Sequence, residues 1–310
     1  MRRPICTEPP PVGENIRLRQ TFKNTMAWKE LHIFTVGASP VLNPARRLME
    51  DKSPLVEEEP LLAELRALPP HAEEQEKVES WAEPNSRVFK ELLRVIEEDP
   101  RWASAELNAY YGFRETAQWG ETARILLFHT DTGVGKLAAT LLYEYLKRHS
   151  KIMGVSHTVE PPRRIEGFGL GPDHWDDALA DTVAKIGGAA AEGKRMGYRV
   201  FLNATGGFKP EVSFALVVAL LAGIDEAYYI HEAARRIVFL PRIPVTLDEE
   251  LASLLKRLDG LAVGDINIDD TVLRARGYTP EDLEKIGVAE IREGRLVLKR
   301  WARLLLESQP

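Results

Sequence analysis

Short apolar runs alternate with amphipathic stretches along most of this chain. Runs rich in β-branched and aromatic residues predict six strands, at Leu31–Val36, Arg124–His129, Ser156–Val159, Val200–Leu202, Glu226–His231 and Arg236–Leu240. Apolar positions at helical spacing predict helices at Leu137–Lys147, Trp175–Gly197 and Val212–Ala222. Strands that alternate with helices predict an α/β fold, with a Rossmann-like, mostly parallel sheet and helices on both faces.

Three stretches depart from this alternation. Residues 1–26 are basic, rich in proline and without a hydrophobic period, so we interpret them as a disordered extension or an over-long gene start. Residues 51–121 are charged and helical, and predict a helical insertion within a domain of residues 27–246. Residues 247–310 predict a winged-helix-like module of two helices, a β-hairpin and a closing helix.

Charge and composition narrow the function classes. The net charge of −6 over 310 residues, with 44% hydrophobic residues, describes an ordinary globular protein without a basic field for nucleic acid. Residues 247–310 carry 10 Lys and Arg against 13 Asp and Glu, which favours dimerisation or pocket covering over DNA binding. The single cysteine, Cys6, and the lack of a long apolar run or a secretory segment predict a cytoplasmic protein.

The strongest functional pattern is the stretch Asn203–Lys209, with sequence Asn-Ala-Thr-Gly-Gly-Phe-Lys, between a strand and a long apolar helix. Glycines let backbone N–H groups approach a phosphate, and the helix N-terminus and Lys209 add positive charge. The alternative interpretation is a tight turn with a solvated lysine. A phosphate site is the hypothesis that this spacing favours.

Other strand ends carry weaker signals. Gly37-Ala-Ser39, with Asn43 beyond it, follows the first strand, and ligands bind at the carboxyl ends of strands in such sheets. The stretch Thr130–Lys136 fails the P-loop pattern, because Leu137 stands where that loop needs Ser or Thr. The pair Arg163-Arg164 is either a positively charged pocket rim or a solvated basic loop.

Several site types are not indicated by the sequence. The histidines are scattered and no zinc spacing occurs, so no metal site and no cofactor are predicted. The nucleophile elbow Gly-x-Ser-x-Gly of α/β-hydrolases is also missing.

Together, the Gly37-Ala-Ser39 turn, the Thr205-Gly-Gly-Phe-Lys209 turn and the stretches Tyr228–Glu232 and Ile237–Pro244 resemble a CRISPR-associated Rossmann-fold (CARF) domain. More narrowly, residues 30–310 resemble the stand-alone ring nucleases of type III CRISPR systems. The resemblance implies a homodimer that binds cyclic tetra-adenylate across its two-fold axis. It also implies that Ser39 and Lys209 take part in cleavage of the ring. Ala38 and Pro40 depart from the usual first loop, which leaves the choice between four and six adenylates open.

The expected reaction needs no metal, because each ribose 2′-hydroxyl lies beside its own 3′-phosphate and can attack it once aligned. Lys209 and the glycine amides would stabilise the phosphate charge, and Ser39 would bind the phosphate or orient the 2′-hydroxyl. No strong general base is evident, so slow turnover is expected. The residues expected to bind the ligand are Gly37, Ala38, Asn43, Thr130, Asp131, Arg163, Arg164, Asn203, Thr205, Gly206, Gly207 and Phe208.

The resemblance to CARF proteins allows two other activities. An effector ribonuclease would carry an Arg-x4–6-His motif in a C-terminal helical domain, yet no histidine follows His231, and the matches Arg66 to His71 and Arg124 to His129 lie elsewhere. The serious alternative is a non-catalytic sensor of cyclic oligoadenylate that regulates transcription through the winged-helix-like module.

Overall fold

A computed structural model describes residues 28–116, 120–207, 209–231, 236–241, 243–263 and 278–307. The strands are β1 Trp28–Val36, β2 Gly120–His129, β3 Lys151–Ile152, β4 Val155–Val159, β5 Arg163–Arg164, β6 Arg199–Asn203, β7 Glu226–His231, β8 Arg236–Leu240, β9 Ala289–Arg292 and β10 Arg295–Leu298. The first eight form one sheet in the order β3-β4-β2-β1-β6-β7-β8, with β5 beside the end of β2. Pairs β1–β2, β1–β6, β2–β4 and β6–β7 are parallel, and the edge pairs β3–β4 and β7–β8 are antiparallel.

Helices cover both faces of this sheet. They are α1 Ser39–Glu50, α2 Pro54–Glu58, α3 Leu61–Glu64, α4 Glu74–Ser80, α5 Arg87–Glu98, α6 Pro100–Ala103, α7 Ala105–Thr116, α8 Gly133–Arg148, α9 Trp175–Thr182, α10 Gly188–Arg195, α11 Lys209–Leu221, α12 Glu249–Leu258, α13 Pro280–Lys285 and α14 Arg300–Glu307. Successive residues of a strand face opposite sides. Accordingly Ile33 enters a core with α9 to α11, and Phe34 enters a second core with α1 and α8. The predicted Rossmann-like α/β fold is confirmed.

Three details differ from the predicted elements. The stretch predicted as one helix from Trp175 contains a π-helical turn, Val183–Gly187, between α9 and α10. Strand β2 begins at Gly120, because its first residues continue the parallel pairing with β1. Arg163 and Arg164, interpreted from the sequence as either a positively charged pocket rim or a solvated basic loop, form β5, where they pair with Phe128 and His129 at the end of β2.

The segment between β1 and β2 is helical throughout most of its length. Its helix α7 packs against β7 and β8 and closes an aromatic cluster of Phe113, Phe201 and Tyr228. This cluster continues the core of the sheet. Helix α7 is therefore an integral cover of the sheet, and its N-terminus lies beside the ends of β1 and β6.

The C-terminal segment has a small apolar core of its own, formed by α12, α13, the hairpin β9–β10 and α14. Helix α13 begins with a reciprocal capping box, formed by Thr279 and Asp282, with Pro280 in the first turn. This segment contacts the sheet domain through α14. There the Trp301 ring meets the Phe214 ring of α11 edge to face, and Lys299 binds Asp176 at 2.7 Å.

Candidate functional site

Two glycine turns meet at the carboxyl ends of neighbouring strands. Strand β1 leads into Gly37 and strand β6 leads into Gly206 and Gly207, so parallel pairing places both turns at one edge of the sheet. A Cβ atom on Gly37 would lie 2.6 Å from the Gly207 nitrogen. The Thr35 hydroxyl donates to the Gly206 carbonyl at 2.6 Å and fixes the two turns together. Only glycine permits this close approach.

A carboxylate from α7 binds the underside of this junction. The Glu106 side chain is fully buried, and its Oε1 accepts the Gly37 N–H at 2.8 Å. Its Oε2 accepts the hydroxyls of Ser39 at 2.8 Å and Ser104 at 2.7 Å. A Cβ on Gly206 would lie 1.9 Å from Glu106 Oε1. Glu106 therefore occupies the space that the missing side chain leaves.

The charge of Glu106 is held by dipoles. Burial raises the pKa of this carboxyl above its ordinary value, while the hydrogen bonds from Gly37, Ser104 and Ser39 act in the opposite direction. Within the described residues, no Lys, Arg or His forms an ion pair with it. Glu106 stands in the first turn of α7, where the helix dipole favours negative charge. A buried acid without a cation beside two glycine turns is an arrangement typical of functional sites.

The Ser39 side chain is engaged on two sides. It is half-buried at the start of α1, donates to Glu106 and accepts the Ala105 N–H at 3.0 Å. The hydroxyl has one proton and two lone pairs. One lone pair therefore remains available to a ligand.

Two predicted ligand residues of the second turn make contacts inside the protein. The buried Asn203 side chain donates to the Glu106 carbonyl at 3.0 Å and accepts the Thr205 hydroxyl at 2.6 Å. Asn43, predicted beside the first turn, donates to the carbonyls of Trp102 and Ala103 at 3.2 and 3.3 Å. These amides hold α1, α6 and α7 against the strand ends.

Lys209 is the first residue of α11 and is exposed. Its ammonium group forms no hydrogen bond or ion pair within the part of the chain that the structure describes. The N–H groups of Gly206 and Gly207 likewise find no acceptor among those residues. Phe208, which was also predicted to bind the ligand, lies outside the described residues. Free N–H donors and a free cation are the groups that a phosphate needs.

The basic residues near the end of β2 are already paired with acids. Arg164 binds Asp131 at 3.1 Å and Glu79 at 3.2 Å, and Arg163 binds Glu160 at 2.6 Å. The other Asp131 oxygen accepts the backbone N–H of Gly167 at 3.1 Å. This arrangement leaves less free positive charge here than at Lys209.

A cavity of about 310 Å³ opens where the strand ends converge. Its lining residues are Gly37, Ala38, Leu42, Leu65, Arg66, Leu68, Pro70, Gln75, Thr130, Thr132, Val134, Gly135 and Gly207. It thus joins the first turn, the Thr-Gly-Gly turn, the loop after β2 and the segment between α3 and α4. Arg66 is the charged side chain of this lining, is exposed, and has no partner among the described residues.

The histidine at the end of β2 is uncharged near neutral pH. His129, at the end of β2, is buried and donates from Nδ1 to the Thr130 carbonyl at 2.7 Å. Burial lowers its pKa to about 4. Thr130 itself is buried, with its hydroxyl 2.9 Å from that of Thr132. Among the described residues, no group of three His, Cys, Asp or Glu could hold a metal ion, and no helix is long and apolar enough to cross a bilayer.

Sequence reasoning did not single out Glu106, Arg66 or Gln75 as site residues. For Glu106 a signal exists, since it shares the apolar stripe of α7 with Tyr110 and Phe113 at helical spacing. An acid on a buried stripe is rare unless it has partners. For Arg66 the sequence offers no such signal, because its position on the cavity depends on the path of the chain between α3 and α4.

Comparison with known proteins adds one finding. Residues 101–243 match the model of a family described as CRISPR-associated protein (Cas_APE2256). The matched region holds α7 with Glu106, the loop after β2 and the Thr-Gly-Gly turn, whereas the Gly37-Ala-Ser39 turn and the C-terminal segment lie outside it. The match indicates that this chain is related to a family of CRISPR-associated proteins.

Proposed function

We propose that this protein is a ring nuclease that cleaves cyclic tetra-adenylate without a metal ion. Its products are linear adenylates with 2′,3′-cyclic phosphate ends. The observation that carries the proposal is the junction of two glycine turns: Lys209 and the Gly206 and Gly207 amides find no partner among the described residues, and Gly37 and Gly207 line a cavity. The relation to CRISPR-associated proteins supports this choice of ligand.

We propose that the cavity binds one nucleotide of the ring. Small-molecule pockets span roughly 300–1,000 Å³, and this one, at about 310 Å³, lies at the lower end. A ring of four nucleotides is larger than this space. The rest of the ring would therefore extend to a second copy of the chain, which makes a homodimer with two such cavities part of the proposal.

The lining of the cavity suits a nucleotide. Leu42, Leu65 and Val134 form an apolar wall on which an adenine can pack. Arg66, which follows Leu65 in the chain, also lines the cavity, and a guanidinium group binds phosphate oxygens in a bidentate manner. The Gln75 amide and the Thr132 hydroxyl, also in the lining, provide polar groups for the base edge or ribose.

The proposed reaction uses a nucleophile that belongs to the substrate. When the ring is bent so that a 2′-oxygen, its phosphorus and the leaving 5′-oxygen are in line, alignment supplies a large part of the rate. Lys209 and the free N–H groups of the turn stabilise the charge that grows on the phosphate. A cleaved ring has lost the geometry that spans two cavities, so cleavage ends the signal.

The proposal is tested by incubating the full-length protein with labelled cyclic tetra-adenylate in EDTA. Lys209→Ala is the test variant. Lys90→Ala, an exposed lysine of α5 away from the cavity, is the matched control. We expect linear products from the wild type and the control, and a loss of about 10²–10³-fold in rate for Lys209→Ala, the range measured when one oxyanion donor is removed. An intact ring after long incubation with the wild type would overturn the proposal.

One contact favours a sensor as the second candidate. Helix α11 begins at Lys209 and meets Trp301 of the C-terminal segment through Phe214, 5.8 Å between ring centroids. A shift of α11 on ligand binding at Lys209 would therefore be transmitted to that segment through the contact of Phe214 with Trp301. A ring that is bound but stays intact, together with a promoter-DNA shift controlled by the ring, would favour regulation of transcription over cleavage.

A further inference from the structure

The two oxygens of Glu106 face different kinds of donor. The Gly37 N–H beside Oε1 can only donate, so Oε1 must remain an acceptor. The hydroxyls of Ser39 and Ser104 beside Oε2 can either donate or accept. A proton can therefore be added at Oε2, with no loss of contact, by rotation of a hydroxyl. The carboxyl is built to exist in both protonation states.

The hydrogen bonds of Ser39 decide how it can meet a ligand. Its proton points to Glu106, and one of its lone pairs receives the Ala105 N–H at 3.0 Å. With a carboxylate at Glu106, the hydroxyl has only an acceptor position left. A phosphate oxygen is also an acceptor and cannot bind there. A ribose hydroxyl, which can donate, fits this position.

We infer that Glu106 receives the proton of the attacking 2′-hydroxyl through Ser39. This inference rests on the proposed ring nuclease function and gives it the base that the sequence did not reveal. Glu106 does not contact the ring and acts as a positioning residue that fixes the direction of the Ser39 hydroxyl. Ser39 is the group that contacts the substrate.

The step balances without another reactant. The 2′-hydroxyl proton passes to Ser39 Oγ as the Ser39 proton passes to Glu106 Oε2. The 2′-oxygen forms its bond to phosphorus, and the bond from phosphorus to the 5′-oxygen breaks. The 5′-oxygen leaves with a proton from the Lys209 ammonium. The proton held by Glu106 afterwards returns to Lys209 through water, and a 2′,3′-cyclic phosphate and a 5′-hydroxyl remain.

The surroundings of Glu106 support this assignment. The first turn provides Gly37 and Ser39, and the residue before α7 provides Ser104. Asn203 of β6 binds the backbone carbonyl of Glu106 and not its carboxyl group. None of these groups is charged. Because burial raises the pKa of the carboxyl, it is a stronger base than an exposed glutamate.

The test compares single-turnover cleavage of labelled cyclic tetra-adenylate from pH 5 to pH 8 for the full chain and its variants. In Glu106→Gln, the amide oxygen must face the Gly37 N–H, so the amide nitrogen must donate to Ser39 and reverse that hydrogen bond. Ser39→Ala removes the relay and leaves the carboxyl in place. Glu211→Gln is the matched control. Glu211 is also buried with a pKa raised by burial, and its oxygen accepts the Gly169 N–H at 2.5 Å.

We expect Glu106→Gln to bind the ring as the wild type does, but to cleave it about 10²–10⁴-fold more slowly, the contribution of a general base. We also expect the rise of rate with pH to disappear in Glu106→Gln and in Ser39→Ala and to persist in Glu211→Gln. Equal rates and pH profiles for wild type and Glu106→Gln would overturn the inference and leave the nuclease proposal intact. If Glu106→Gln does not fold, an unchanged pH profile in Ser39→Ala overturns it. A wild type that leaves the ring intact would overturn both.

Discussion

Two buried glutamates flank the same helix and differ in what neutralises them. Glu30 on β1 binds Arg114 of α7 at 2.5 Å and His32 at 3.0 Å, whereas Glu106 at the other end of α7 has only N–H and O–H donors. Both side chains are fully buried. Their partners lower the pKa of Glu30, and burial raises the pKa of Glu106.

The difference separates a structural role, at Glu30, from the proton-accepting role that we propose for Glu106. A buried ion pair keeps its acid charged and immobile. His32, which binds Glu30, packs against the rings of Tyr110, Phe113 and Phe201. A buried acid held by dipoles alone can gain a proton without losing a salt bridge. Glu106 lies at the glycine turns that border the cavity. In our proposal, it can therefore accept a proton from the bound ring through Ser39.

The largest expected effect is on stability and concerns the ion pair between Glu30 and Arg114. Arg114→Met removes the cation and leaves the buried Glu30 with only its hydrogen bond to His32, which we expect to lower the free energy of unfolding by about 3–5 kcal/mol. Urea unfolding followed by circular dichroism measures this. The double variant Glu30→Gln with Arg114→Met serves as the control and should recover part of the loss. A single variant within about 0.5 kcal/mol of the wild type would show that the ion pair has no structural role.

The junction of the turns gives the next largest effect. In Gly206→Ala the new methyl group would lie 1.9 Å from Glu106 Oε1 and 2.5 Å from the Gly37 nitrogen, so the turns must separate. We expect a loss of about 1–3 kcal/mol in unfolding free energy, together with a strong loss of ring binding. Calorimetric titration with cyclic tetra-adenylate measures the binding.

Gly188→Ala in α10 is the matched control for this substitution. A Cβ there meets nothing within 4 Å, and alanine favours a helix over glycine by about 0.5–1 kcal/mol. We expect this variant to be as stable as the wild type or more so, with unchanged binding. If Gly206→Ala behaves in the same way, close contact between the turns is not required for the site.

The sheet and the principal turn could be predicted from local pattern, while the groups that complete the site could not. Alternation of strands and helices reveals β1, β2 and β6, and strand-end glycines reveal the Gly37 and Gly206 turns. Glu106 binds Gly37, which lies 69 residues earlier in the sequence. Its role therefore depends on how α7 packs against the sheet, which local pattern does not show. Glu30 lies outside the predicted first strand for a similar reason, since its burial depends on Arg114, a distant residue of α7, as well as on His32.

Arg66 yields a smaller effect, limited to binding. Its guanidinium is exposed at the cavity and, among the described residues, unpaired, so Arg66→Ala should leave stability unchanged. Loss of one charged hydrogen-bond partner of phosphate should weaken binding of cyclic tetra-adenylate about tenfold, or about 1.5 kcal/mol. The control is Arg292→Ala, on β9 away from the cavity, where the arginine pairs with Glu290 at 2.7 Å. Equal affinities for both variants would place the ring elsewhere.

The smallest expected effect tests the comparison directly, through the dependence of stability on pH. Glu106 has a raised pKa in the folded state. Its contribution to the free energy of unfolding is therefore present in acid and is lost as pH rises through that pKa. Glu30 has a lowered pKa, so its contribution is present above the ordinary value of 4.5 and is lost as pH falls. Burial lowers the pKa of His32 from 6.5 to about 4. The contribution of His32 to stability is therefore also lost as pH falls, between pH 6.5 and 4.

These signs predict different slopes for two single variants. The free energy of unfolding of Glu106→Gln, relative to wild type, should increase from pH 5 to pH 8, because only the wild type suffers from a buried charge at high pH. The same difference for Glu30→Gln should stay nearly constant over that range and change only below about pH 4.5, because Glu30 is already ionised in the wild type and His32 is neutral in both proteins. Urea titrations at several pH values measure both differences. Parallel slopes would mean that the two carboxyls are neutralised in the same way, and the distinction between a fixed charge and a proton acceptor would fail.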